Sequence, residues 1–291
     1  MQAKTAVTTK KRTSTTTMKI EAFAKVNFTL EVLGARDDGY HALRSLVVPI
    51  SLCDTLEITE AETLESDTGY ADDLCLKAAR VLSPDRGASI RVIKRIPAGG
   101  GLGGGSADAA ATLVALNGIW GLGKSRDELV RLAAQVGSDV PALVHGGAVL
   151  MEGRGEKVSP FMPEGVAFPR LHMVLCNPGV ASSTKEVYAK CNSRVTDDAS
   201  ILYNMRTALA SGSLERISAA MMNDLQEPAV SLHPEIGGAL ELLRKSGVIG
   251  AAMSGSGSTV FGLVQSEAHG RETAAFLNLH GFAAWYAQTV P

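Results

Sequence analysis

The stretch from Pro97 to Ala111, PAGGGLGGGSADAAA, puts six glycines into the seven positions from Gly99 to Gly105 and then turns abruptly to alanine. Ordering glycine instead of alanine costs about 0.5–1 kcal/mol per residue in regular structure, so a fixed loop of this composition needs a partner that offsets the cost. An anion is such a partner. Backbone without Cβ atoms approaches it closely, and the free N–H groups of a helix start point at it with about half a positive charge. A flexible spacer has the same composition, but the flanks oppose that reading. Residues 88–96, ASIRVIKRI, alternate apolar and polar as a strand does, and Ser106-Ala107-Asp108 supplies cap-type residues ahead of AAATLVALNGIW. Strand, glycine loop and helix start in that order describe a phosphate cradle.

Three further places carry chemistry. Lys25 and Asn27 stand two apart in a strand-like run, so they share one face and can offer an ammonium and an amide to one ligand. A solvated strand face is the ordinary reading of an isolated lysine. Tyr40 and His41 follow the charged turn Arg36-Asp37-Asp38-Gly39; such a pair stacks on a flat base and bonds its edge, or is simply exposed. Asp139, held between Gly137 and Pro141, reads by itself as an acid capping its own sharp turn.

The elements that must position these residues follow from pattern. MKIEAFAKVNFTLEVLG, from Met18, reads as a strand pair or one long bent strand, and SLVVPISLCDTLEI as another strand. DDLCLKAARVL, from Asp72, is a short amphipathic helix ended by Ser83-Pro84. The helix after the glycine loop stops near Asn117-Gly118, and Ser125 with Glu128 forms a capping box for the next one. Between them GIWGLGKS satisfies the Walker A pattern, yet it joins two helices where a true P-loop joins strand to helix, so Lys124 and Ser125 are read as turn and cap. A hairpin, GGAVLMEGRGEKVSP, follows His145. Three prolines in PFMPEGVAFPR, residues 160–170, mark a domain boundary. Beyond it come strand HMVLCNP, helix STKEVYAKC, a helical stretch ALASGSLERISAAMMND, then helix, strand, loop, strand, helix and strand. Helices over one face of an antiparallel sheet suit a ferredoxin-like α+β domain. The small-residue loop Gly255-Ser256-Gly257-Ser258 is either a tight hairpin or a second wall approaching the first glycine loop.

Composition bounds the partners. The 291 residues suffice for two domains, and a net charge of −2 gives neither a basic footprint for nucleic acid nor a polybasic membrane face. No apolar run is long enough to span a bilayer. Four scattered cysteines without a CxxC pair suggest reduced packing thiols in a cytoplasmic protein and no metal ligand set. Residues 1–17, basic and threonine-rich with no apolar core, read as a disordered tail rather than a secretory signal. A transit peptide shares that bias, but the segment is short and shows no clear amphipathic period, and an upstream start before Met18 explains it at least as well.

Three blocks, AKVNFTLEVLGARDDGYHALRSL, IPAGGGLGGGSADAAA and GSDVPALVHGGAVLMEGRGE, in this order and spacing, resemble the GHMP kinase superfamily over residues 18–291. Within it they resemble the branch whose acceptor is a cytidine-diphosphate-linked methylerythritol. The resemblance implies a two-domain α+β fold with the site in the cleft between its parts. Residues 18–165 would form a ribosomal-protein-S5-like ATP-binding domain and 166–291 a ferredoxin-like one. It implies ATP as co-substrate with Mg²⁺, a monomer or homodimer, and transfer to an alcohol. Carried over by position, Lys25 and Asp139 are the catalytic pair. Pro97, Ala98, Gly99, Gly100, Gly101, Leu102, Gly103, Gly104, Gly105, Ser106 and Ala107 hold the nucleotide phosphates, with Ser106 also offered to Mg²⁺. Asn27, Tyr40, His41, Thr184 and Tyr188 take the acceptor. The chain departs from the pattern at Asp72-Asp73-Leu74, where the family commonly shows Glu-Asn-Leu, so an amide is replaced by a carboxylate.

Overall fold

The computed structural model describes residues 17–35, 39, 41–191 and 200–290. Two long strands, β1 (Thr17–Ala35) and β2 (His41–Ala61), pair antiparallel, followed by β3 (Leu64–Ser66), α1 (Leu74–Leu82) and β4 (Gly87–Ile93). Then come α2 (Gly104–Ile119), α3 (Arg126–Ala133), α4 (Val140–His145) and the hairpin β5 (Val149–Gly153) with β6 (Lys157–Pro160). The second half runs β7 (His172–Asn177), α5 (Thr184–Lys190), α6 (Ser200–Ser211), α7 (Leu214–Ala220), β8 (Met222–Asn223) and α8 (Gln226–Leu232). It ends in α9 (Pro234–Lys245), β9 (Ile249–Met253), β10 (Val260–Val264), α10 (Glu267–Leu279) and β11 (Ala283–Gln288). Among the described residues no helix is long and apolar enough to cross a membrane.

The bent-strand reading of the first block holds: β1 is continuous, and register shifts at Phe23/Lys25 and Asn27/Thr29 bracket Lys25 and Asn27. Such bulges re-aim side chains next to functional sites. Alternation sends Ala22, Ala24, Val26 and Phe28 into the core and leaves the intervening face to Lys25 and Asn27. Thr17, which the sequence assigns to the tail, is the first residue of β1, its hydroxyl 2.9 Å from that of Thr59; residues 1–16 lie outside the described residues.

α2 is alanine-rich and buried on most sides, as a central helix must be. Its start corrects the expectation that Ser106 caps it. The N-cap is Gly103, at φ +70°, with no side-chain capping bond. The left-handed conformation favours glycine, and it moves the helix start three residues upstream. At the far end Asn117 closes the Walker-like turn, donating to Lys124 O and accepting from Lys124 N, both at 3.0 Å, and Ser125 with Glu128 forms the capping box. That segment is a helix-to-helix turn.

In the second half β7, β9, β10 and β11 form an antiparallel sheet ordered β11-β7-β10-β9, the ferredoxin-like arrangement when α9 and α10 are its crossovers. Val174, Cys176, Val260 and Val264 face those helices, while Met173, Leu175, Phe261 and Leu263 join the core of the first half. One expectation fails: ALASGSLERISAAMMND is two helices broken at Gly212-Ser213, and its end, Met222-Asn223, is a strand pairing in parallel with Thr29 and Leu30 of β1. The four cysteines are free; burial pushes the Cys75 and Cys176 thiols up to about 12, as befits packing residues.

Candidate active site

Lys25 comes from the bulged centre of β1 and Asp139 from the turn opening α4, and their Nζ and Oδ2 atoms lie 3.5 Å apart. The ammonium also donates to Asn27 Oδ1 at 2.7 Å; Asn27 Nδ2 donates to Ser45 Oγ at 2.7 Å, and Ser45 Oγ to Thr29 O at 2.6 Å. This chain locks the Lys25 rotamer. Asp139 stands at the N-cap of α4 yet makes no capping bond, so its carboxylate is not committed to its own turn.

The glycine loop is tied down on two sides. Lys25 N donates to Leu102 O at 3.0 Å, and the loop 254–258 with the residue after it reaches it from the second half: Thr259 N donates to Gly100 O at 3.1 Å and Ser254 Oγ to Gly101 O at 3.0 Å. A Cβ at Gly101, φ +73°, would fall on the carbonyl oxygens of Ser254 and Gly257. One at Gly103 would lie 3.2 Å from the Lys25 stem and 3.7 Å from Asp139 Oδ2. The second glycine loop is therefore a wall against the first, and Gly103 passes directly over the lysine and acid.

Two cavities meet at this loop. One, of about 360 Å³, is lined by Pro97, Ala98, Gly99, Gly100, Gly101, Gly103, Gly104, Gly105 and Ser106, with Tyr70, Asp73, Lys94 and Asp108 on its other side. The second, of about 800 Å³, is lined by Lys25, Asn27, Asp139, His41, Thr184 and Tyr188, together with Arg154, Lys185, Leu225 and Ser256. Gly99, Gly101 and Gly103 border both. Leu102 and Ala107 turn into the core instead. His41, at the start of β2, and Tyr188, on α5, pack with ring centroids 5.2 Å apart and their planes tilted by 31°. Burial, then the nearby Asp139, raises the Tyr188 phenol above its ordinary range. Thr184 Oγ1 is 2.8 Å from Ser256 Oγ. Tyr40 lies outside the described residues.

The floor of the smaller cavity holds charges that sequence pattern does not single out. Lys94 donates to Asp54 Oδ2 at 2.5 Å and Asp108 Oδ2 at 2.7 Å, and Asp54 Oδ1 accepts from the N–H groups of Arg95 and Ile96. Asp108 Oδ1 is buried with no hydrogen-bond partner among the described residues. Burial pushes the Asp108 carboxyl up to about 7, the lysine opposing and Asp54 adding to the rise; the two acids hold the Lys94 ammonium above its ordinary value against its own desolvation. The sequence gives Lys94 no partner, and only the β2–β4 pairing brings Asp54 beside it. Asp73, the departure from the family pattern, caps α1: Oδ1 accepts from Cys75 N at 2.7 Å and Leu76 N at 3.2 Å, and Oδ2 from Thr68 Oγ1. Desolvation opposes its ionisation, but these bonds outweigh it and hold the carboxyl below its ordinary value.

Residues 73–147 match the model of the GHMP kinases N terminal domain and residues 205–282 that of the GHMP kinases C terminal region. The chain is 40% identical to the 4-diphosphocytidyl-2-C-methyl-D-erythritol kinase of Ruegeria pomeroyi over 269 residues, covering 89% of this chain and 93% of that one. It is 40% identical to the enzyme of the same name from Symbiobacterium thermophilum over 290 residues, 94% of this chain and all of that one. Among solved structures, a 4-(cytidine 5'-diphospho)-2C-methyl-D-erythritol kinase superposes with a TM-score of 0.79 at 32% identity, covering 94% of this chain and 100% of its own. The Methanococcus jannaschii mevalonate kinase, at 18% identity and a TM-score of 0.69 over 95% of this chain and 99% of its own, shares the fold. Matches to both domain models, with relatives aligned over nearly their whole length, establish that the chain belongs to the GHMP kinase family.

Proposed function

We propose that this protein transfers the γ-phosphoryl group of ATP to the 2-hydroxyl of 4-diphosphocytidyl-2-C-methyl-D-erythritol, giving the 2-phosphate and ADP, in the non-mevalonate route to isoprenoid precursors. The observation that carries the reading is the Lys25–Asp139 pair, 3.5 Å apart, at the mouth of a glycine loop bordering two cavities. ATP takes the smaller cavity, its phosphates lying along the loop and the start of α2, where the N-cap Gly103 has no side chain to bond the first N–H groups. The acceptor takes the larger one, its cytosine read by His41 and Tyr188 and its sugar alcohol by Asn27 and Thr184. Arg154 and Lys185 bring positive charge to the wall that its diphosphate would face.

Phosphoryl transfer asks the protein to align donor with acceptor and to neutralise charge on the moving group. Asp139 takes or orients the hydroxyl proton once that oxygen is within about 3 Å. Lys25, fixed by Asn27, meets the charge developing on the phosphoryl oxygens. Among the described residues no three acidic, histidine or cysteine side chains converge to hold a metal. The fit is therefore to an ion that arrives with the nucleotide, as Mg²⁺ does when phosphates and water supply most of its ligands. The Ser106 hydroxyl, in the first turn of α2, is the loop oxygen that would be offered to it. When bound it would screen the phosphate charge.

The test is ADP release coupled to a reporter, run with the diphosphocytidyl alcohol and, in parallel, with homoserine and mevalonate. Turnover with the first and background rates with the others is expected. Preference for either small alcohol overturns the acceptor assignment, and ATP binding without any acceptor-dependent ADP release overturns the kinase reading.

A further inference from the structure

The four residues from Asn223 to Gln226 join the two halves at a point neither cavity's chemistry explains. On one side they grip β1: β8 pairs with Thr29 and Leu30, Asp224 N donates to Leu30 O at 3.0 Å, and Asp224 Oδ2 accepts from Val32 N at 2.8 Å. On the other side they grip the end of β9 and the loop after it. Asn223 Nδ2 donates to Met253 O and to Gly255 O, each at 2.8 Å, while Gln226 Oε1 accepts from Met253 N at 3.0 Å. Asn223 Oδ1 accepts from Leu225 N at 2.9 Å, which fixes the amide's orientation.

Gly255 is where this grip reaches the site. A Cβ placed on it would lie 3.0 Å from Lys25 Nζ and 3.1 Å from Gly101 O, so its carbonyl is held within one residue's reach of both the lysine and the phosphate loop. Asn223 lines neither cavity, and both of its N–H groups are committed to backbone carbonyls. The two carbonyls its amide N–H groups hold, Met253 O and Gly255 O, tie it to the loop beside Lys25, while its Oδ1 holds Leu225 N, whose residue lines the larger cavity.

We propose that Asn223 is a positioning residue. Its amide sets the distance between the 254–258 loop and the Lys25–Gly101 seam, and through that distance it governs transfer without touching either substrate. The transfer half of this inference rests on the kinase reading above.

Asn223→Asp keeps the shape and replaces the donor with an oxygen facing two carbonyls, which repel it; Asn223→Ser removes the reach altogether. Amide hydrogen exchange across 254–258 should quicken at least about tenfold in the folded variants, because the opening there becomes cheaper. The kcat per folded molecule should fall about tenfold to a hundredfold, as a displacement near 1 Å does, with KM for the acceptor unchanged within error. A residue serving stability alone would lower the melting temperature and leave turnover per folded molecule intact. Exchange and kcat must both move. Faster exchange with parental kcat overturns the proposal, as does lowered kcat with parental exchange, and failure of both variants to fold at 20 °C assigns Asn223 to stability instead. The exchange arm needs no substrate, so a parent protein inactive on the acceptor would defeat the kinase reading while Asn223's hold on the loop was still decided.

Discussion

Of the Lys25–Asp139 pair, the lysine side chain is 4% exposed and the acid 31%, and this asymmetry fits their separate tasks: the buried ammonium is fixed by Asn27, whereas the carboxylate opens to the cleft where a hydroxyl would arrive. Asp139→Asn keeps the shape and loses the proton acceptor, so kcat should fall at least about a hundredfold while ATP still binds; near-parental turnover would refute the assignment. Lys25→Ala should lose at least as much, and by leaving Asn27 Oδ1 without its donor it should also cost about 1–3 kcal/mol of stability, which a melting curve separates from the kinetic loss. Asp108 allows a pH experiment. Its carboxyl, at about 7 in the fold, lies above an ordinary unfolded value near 4, so its contribution to stability is full below pH 4 and is lost as pH rises through 7. Asn at this position has no proton to lose. The melting temperature of Asp108→Asn minus that of the parent should therefore climb by a few degrees between pH 5 and pH 8. A difference flat across that window would show that Asp108 does not titrate as proposed.

At the scale of elements, the glycine loop serves by what it lacks, and two of its glycines make a matched pair. Gly99 sits at φ +67° with open space where a Cβ would go; Gly101 sits at φ +73° with the Ser254 and Gly257 carbonyls there. Gly99→Ala should cost only the left-handed strain, about 1–2 kcal/mol. Gly101→Ala should add to that strain the separation of the two loops, lowering the melting temperature further and raising KM for ATP; equal effects in both variants would mean that the loops do not bear on each other. This contrast also shows where the sequence is legible. The strand, glycine loop and helix around Pro97–Ala107 could be read because each carries its own local pattern, as could the capping box at Ser125 and the rejection of the Walker match. The contact between loops could not, since Gly101 and Ser254 are 153 residues apart and either loop alone reads as a turn. Gly103 displaces Ser106 as the cap because φ, not side-chain chemistry, decides that position. The sequence joins Lys94 to no acid until β4 lies against β2, and Met222-Asn223 looks helical because a two-residue parallel strand leaves no periodicity.

At the scale of the molecule, the site lies on a seam, so its geometry is only as firm as the packing across that seam. Phe28 from β1 stacks on Phe261 of β10 and meets Phe168 edge-on, each with centroids 5.8 Å away, and all three belong to one buried cluster spanning both sheets. The division we propose, residues 18–165 and 166–291, therefore separates units of topology that share a core, and β8 of the second binds the sheet of the first. Halves so joined should unfold together. The chain's two tryptophans allow a direct measurement: Trp120 follows α2 in the first half, and Trp285 lies in β11 of the second. In Trp120→Phe and Trp285→Phe variants the remaining indole reports on one half alone. Both should give the same denaturant midpoint as the circular dichroism of the parent, since coincident probes mark a single cooperative transition. Adding Phe28→Ala should cost about 3–5 kcal/mol and move the two midpoints down together. If Trp120 and Trp285 instead reported separate midpoints, the shared aromatic cluster would not be coupling the halves, and a cleft built between them would have no fixed width to hold ATP against its acceptor.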